Sequence, residues 1–272
     1  MGGFTFDRPG LAIGKNPPNG VVVPYYFRHK PGEKDSVKLE FLDGKGTLIR
    51  SFTHREEGKG TGDSEGQGGS GADEGPSIPA DSGMNRFVWD MRYPDAHGIE
   101  GGTFLAGGSL RGPIALPGTY QVRLKAGSDT HTQSLRIVAD PRSQATAAEL
   151  QEQFDLLIMI RDKVSAMHDA VNDIVRMRKA LASRKDAGAQ RQDAALEAVL
   201  KELVELRFVG YDDQMLVFDL KLNNRMAALQ GYVSQGDYAP TEQQYSVFRS
   251  VSSLVDAALA RYTALKAQTP SP

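Results

Sequence analysis

The sequence predicts an α+β chain: an N-terminal antiparallel β-sandwich, immunoglobulin- or fibronectin III-like, followed by an antiparallel bundle of three to four helices, one of them long. Two observations carry this. Before about residue 142 apolar residues alternate or cluster in short runs between Gly, Pro, Asn and Asp, the pattern of strands and turns. Beyond it they recur every three or four residues, the spacing of amphipathic helices, and the change falls in "ADPRSQATAAEL". A chain of 272 residues with 40% apolar side chains can fill two cores, so residues 1–142 and 143–272 read as two domains.

In the first half, "NPPNG" is a turn, because each proline fixes φ and steers the residue before it away from helix. "VVVPYYF" follows as a strand whose Pro24 suits an edge or a bulge. "VKLEFLD" points Val37, Leu39 and Phe41 to one face, "DGKG" is a hairpin signal, and "TLIRSF" returns. Residues 55–83 are mostly Gly, Ser, Asp, Glu and Pro with Ile78 the one large apolar side chain, so they read as a mobile or disordered insertion within the sandwich. "FVWDMRY" is the next strand, with Phe87, Trp89, Met91 and Tyr93 on one face by parity. "PGTYQVRLKAG" and "THTQSLRIVAD" pair as a hairpin, for six or seven strands in all.

The helical half opens on a capping box, Thr146 with Glu149, and Leu150, Phe154, Leu157, Val164, Met167, Val171, Ile174 and Leu181 then share a face over roughly ten turns, about 55 Å. A second helix spans about Gln190 to Leu206. A third runs through Leu220, Leu222, Met226, Leu229 and Val233, ending near Gly231 to Gly236, and a fourth follows a second capping box, Thr241 with Gln244. So long an amphipathic helix needs cover from antiparallel neighbours or from a second chain, which leaves a homodimer through it open.

Composition narrows the function classes. A net charge of −2 and a pI near 6.2, with no basic stripe, give no footprint for nucleic acid. The absence of cysteine removes disulfides and thiol chemistry. No apolar run has the length of a membrane span, and the residues Met1-Gly2-Gly3-Phe4 show neither a basic leader nor an apolar signal core, so a complete gene product would stay in the cytoplasm. The elbow, zincin, P-loop and calcium-loop motifs do not occur. "GQGGSG" fits a dinucleotide pattern but has neither a strand before it nor a helix after it. Five scattered histidines give no metal spacing, so neither metal nor cofactor is expected.

The stretch "MNRFVWDMRYPDAHG" and the glycine-rich loop after it, Pro94 to Gly112, concentrate what chemistry remains. Asp90, Asp95, His97 and Glu100 are the candidate catalytic residues, since paired carboxylates at about 5 or 6.5–9.5 Å can hydrolyse a glycosidic bond. Tyr25, Trp89, Arg92 and Tyr93 are the candidate binding residues if the sheet leaves their face open to a sugar; parity makes Trp89 and Tyr93 core instead.

The order "NPPNG", "NRFVWDMRYP", "GPIALPGTYQVRL" with "DPR", then "KLNNRMAALQG" with "GDYAPTEQQYSVF" resembles the C-terminal region of bacterial sortilin/VPS10-type BNR-repeat proteins, often labelled glycosyl hydrolases. The resemblance covers about residues 13–265. It implies an exported protein and an accessory module beside a propeller, with a protein or polysaccharide partner, and it carries over no catalytic residue. The Asp-box of the propeller repeats does not occur here, and Asp219 stands where that family often has proline. A glycoside or ester hydrolase using the loop acids and His97 is the alternative expectation.

Overall fold

The structure, a computed structural model, describes residues 17–32, 35–55, 75–102, 105, 108–208 and 216–268. It is α+β, with two antiparallel sheets of two and four strands and four helices among these residues. β1 (Val21–Phe27) pairs with β4 (Gly83–Trp89), while β3 (Leu48–Thr53), β2 (Val37–Leu42), β5 (Gly118–Ala126) and β6 (Asp129–Ile137) form the larger sheet in that order.

The predicted parity puts the aromatic residues where the sheets meet. Val37, Leu39 and Phe41 of β2 are buried, and the Phe41 ring stacks on Trp89 of β4 at 4.3 Å between centroids. Phe52 of β3 meets Phe87 of β4 at 4.6 Å, and Tyr120 of β5 reaches Trp89 edge-on. Such pairs add about 0.5–1.5 kcal/mol each beyond the area they bury. The "DGKG" hairpin forms, with Gly46 at φ 85° and the Asp43 carboxylate accepting from the Lys45 and Thr47 amides.

Two readings of the first half need correction. β4 stops at Trp89: Met91 takes φ 60°, and Asp90 Oδ1 accepts the Arg92 amide across the turn, so Met91 and Tyr93 leave the strand. The end of the supposed disordered insertion is ordered, because Ile78 and Ala80 are buried in the β core and the Ile78 amide donates to Thr53. Residues 56–74, including "GQGGSG", lie outside the described residues.

The helices are α1 (Ala147–Leu181), α2 (Ala187–Leu203), α3 (Leu222–Val233) and α4 (Glu242–Ala267). Both predicted capping boxes are formed, each satisfying two backbone N–H groups that a helix start leaves open. α2 begins and ends about three residues before its predicted limits, since Asp186 caps it by accepting the Ala189 amide and Leu206 lies beyond its end. α3 begins after Leu220 and carries Gly231 inside it.

One cluster of buried side chains joins all four helices. α2 meets the C-terminal part of α1 through Arg178 and Asp193, and the end of α3 meets its N-terminal part, where Gln153 Nε2 donates to the Val233 and Gly236 carbonyls. α4 lies alongside, with Lys163 on Asp256 and Asp173 on Lys266. The same cluster includes Ala96, Ile99, Leu105 and Leu110 from the segment between β4 and β5. Among the described residues no helix is long and apolar enough to cross a membrane.

Candidate functional site

The loop after β4 does not stand free over the sheets; it lies along α1. The helix presents Arg161, Ser165, His168, Asp169, Asn172 and Arg176 at spacings of three and four, which places them on one face. Each meets the loop or an ionic partner on it. Arg161 donates to the Pro94 carbonyl at 3.4 Å, and Ser165 Oγ accepts the His97 amide at 3.1 Å. His168 Nδ1 donates to the His97 carbonyl at 2.6 Å. The Asn172 amide accepts from the Glu100 N–H at 2.8 Å and donates to the Gly98 carbonyl at 3.0 Å, clamping both sides of the turn.

Two of the predicted catalytic residues, His97 and Glu100, occupy this clasp. His97 Nδ1 bonds Asp169 at 2.9 Å, and Arg176 donates to Glu100 at 2.8 Å. Asp90 and Asp95 act within the β4–β5 segment itself. Asp90 accepts from Arg111 at 2.9 Å, and Asp95 Oδ1 accepts the Gly112 amide at 2.7 Å. Backbone N–H groups and cations therefore occupy at least one oxygen on each acid. The structure brings His97 and Glu100 to the same helix face, through residues 68 to 76 positions later, while Asp90 and Asp95 bind at the other end of the segment.

The predicted binding residues divide differently. Trp89 is 0% exposed; Phe41 covers its face and its Nε1 donates to the Arg92 carbonyl. Tyr25 is buried too, with its hydroxyl on the Pro79 carbonyl at 2.6 Å, and burial raises its phenol well above the usual range. Neither ring presents a face on which a sugar could stack. Arg92 is half-buried and donates to the Gly112 carbonyl at 2.7 Å; burial first, then Arg111 nearby, lowers its guanidinium. Tyr93 meets Phe154 of α1 edge-on at 4.9 Å, joining the β half to the first helix.

Beyond the clasp, α1 and α4 leave an open groove of about 500 Å³ whose rim includes Glu100, Asp169, Asp173, Arg176, Tyr262 and Lys266. Tyr262 donates its hydroxyl to Asp173, which also takes Lys266 at 2.7 Å. Burial works to raise the Asp173 carboxyl, yet the bonds from Lys266 and Tyr262 outweigh it and hold the group low. Burial and the Asp173 bond raise the Tyr262 phenol, so it stays protonated and serves as a donor rather than a base. Among the described residues no cluster of three or more His, Asp or Glu side chains could hold a metal ion.

Sequence reasoning missed the helix side of this site. The signal was there in the short hydrogen-bonding side chains Ser165, His168 and Asn172, set beside the apolar stripe of α1. No family model, curated protein or solved structure matches this chain.

Proposed function

We propose that the chain is a non-catalytic interaction module: a fibronectin III-like sandwich locked to an antiparallel helical bundle, making contacts with proteins or polysaccharides beside a BNR-type propeller. The observation that carries this reading is the use made of the loop's reactive groups. His97 is held by Asp169, Glu100 by Arg176, Asp95 by the Gly112 amide and Asp90 by Arg111, so all four work to hold the segment. The three carboxylates each have an oxygen turned to the protein itself rather than towards a substrate.

Two features favour the sandwich class. The pairing β3-β2-β5-β6 against β1-β4 follows the order C′–C–F–G against B–E of immunoglobulin-type sandwiches. Tyr120, near the start of β5, donates its hydroxyl to the Leu116 carbonyl at 2.8 Å, the tyrosine corner of that class at the matching strand. The propeller context and export rest on the motif resemblance described above.

A glycoside or ester hydrolase is the second reading, favoured by the His97–Asp169 pair. Asp169 takes Nδ1 and leaves Nε2 free to act as a base on a side chain that is 64% exposed beside the groove. A panel of chromogenic glycosides and esters separates the two. The module reading expects no turnover from the purified chain and at most a small loss of thermal stability on changing His97 or Glu100 to Ala. Turnover that His97→Ala abolishes while the fold persists would establish the hydrolase instead.

A further inference from the structure

We propose that the clasp between the β4–β5 segment and α1 is an acid-released latch, in which a proton taken up at Nε2 of His168 frees residues 96–100 from the helix. His168 is 0% exposed, although histidine is seldom fully buried. Its Nδ1 lies 2.6 Å from the His97 carbonyl oxygen, which can only accept, so Nδ1 carries the proton of the neutral ring. Nε2 is then a bare acceptor, and it has no hydrogen-bond partner among the described residues.

The neutral ring is tolerable there, since it leaves one weak acceptor unmatched. The protonated ring is not. It would bury a cation whose new N–H has no acceptor, a far larger penalty than one unpaired neutral atom. The ring can reach water by two routes: local unfolding of α1, or lifting of the loop that covers it. The loop is the weaker partner, held by Ala96, Ile99 and a handful of bonds, while α1 is tied into the core along its length.

The ionisable groups acting on the ring are Asp169 on α1 and His97 on the loop. Asp169 favours the charged ring and His97 opposes it. Asp169 is 59% exposed and already paired with His97, so solvent weakens its help. Glu100 with Arg176 lies further along the same face, and Lys266 and Tyr262 of α4 are engaged with Asp173. Desolvation, outweighing the bond to His97 and the pull of Asp169, holds the imidazole below its ordinary range. A base whose folded value is depressed stabilises the closed clasp in full above the ordinary histidine value, about 6.5, and loses that contribution as pH falls from there through the folded value.

Hydrogen exchange on the full chain, expressed as protection factors at pH 7.5 and 5.0, tests the latch at the amides of His97 and Glu100. The expected result is a fall of about tenfold or more at these amides, with α1 still protected. His168→Asn keeps a donor for the His97 carbonyl but cannot titrate, and should abolish the response; His97→Gln, which retains the backbone carbonyl, should keep it. Unchanged protection in the native chain would overturn the latch. So would a response that survives His168→Asn and vanishes in His97→Gln, because the His97–Asp169 pair would then be the sensor. Should His168→Asn not fold, ring nitrogen shifts of the native chain decide: a neutral Nδ1–H ring whose protonation coincides with loss of protection supports the latch, and an ordinary titration without that loss refutes it.

Discussion

Residues 75–83 and 94–112 are both rich in glycine and poor in large apolar side chains, yet they complete different cores. The first delivers Ile78 and Ala80 to the aromatic core of the sheets. The second crosses to the helices and delivers Ala96, Ile99, Leu105 and Leu110 to theirs. The difference lies in the polar residues around those plugs. Near Ile78 the bonds go back to the neighbouring strand and its extension, from the Ile78 amide to Thr53 and from the His54 ring to the Ile78 carbonyl. Around Ile99 they go to a helix about seventy positions away. One segment closes its own sheet; the other ties the two halves of the chain together.

The largest expected effects come from removing the plugs. Ile78→Ala and Ile99→Ala should each cost about 2–5 kcal/mol in denaturant unfolding, because both side chains are almost wholly buried and leave cavities. Their signatures should differ. Ile78→Ala should alter the fluorescence of Trp89, the sole tryptophan, while Ile99→Ala should show first in the helical circular dichroism. Equal effects of both substitutions on both signals would break the comparison.

Next come the positions where backbone approaches closely. A Cβ at Gly112 would lie 2.1 Å from the Tyr93 carbonyl oxygen and 2.4 Å from that of Pro94, so Gly112→Ala should cost about 1–3 kcal/mol and loosen the loop. A Cβ at Gly75 would meet the Phe52 ring at 2.6 Å, and a side chain can shift where a carbonyl cannot. Gly75→Ala should therefore shift the denaturation midpoint less. Asn172→Ala, which removes both bonds of the amide clamp, should cost about 1–2 kcal/mol and raise exchange at Glu100.

The smallest effect belongs to the exposed ion pair. Glu100→Gln should change stability by less than about 1 kcal/mol at moderate salt, since Glu100 and Arg176 are both more than half exposed. A loss beyond that would make the ionic contact, rather than the amide clamp and the buried Ile99, the main fastening of the loop.

What could be read from the sequence was whatever depends on neighbours in the chain. Parity found Val37, Leu39, Phe41, Phe87 and Trp89, and cap chemistry found Thr146 and Thr241. The strand reading failed beyond Trp89, where the positive φ of Met91 and the Asp90 turn reset the direction of the chain, although Met91 and Tyr93 still pack against the β core. Asp186 was overlooked as a cap because the basic residues before it and the Ala-Gly after it resemble a linker. The candidate residues of the loop were found by type but not by role. Their partners Ser165, Asp169, Asn172 and Arg176 come from another element, and no local pattern in Pro94 to Gly112 encodes that contact.

The claim that this loop is a fastening can be tested directly by amide hydrogen exchange at neutral pH on the native chain. The amides of His97 and Glu100, bonded to Ser165 and Asn172, should exchange at least about a hundredfold more slowly than those of an unprotected loop, though faster than those in the middle of α1. Exchange at the rate of an unprotected loop, with α1 still protected, would contradict it.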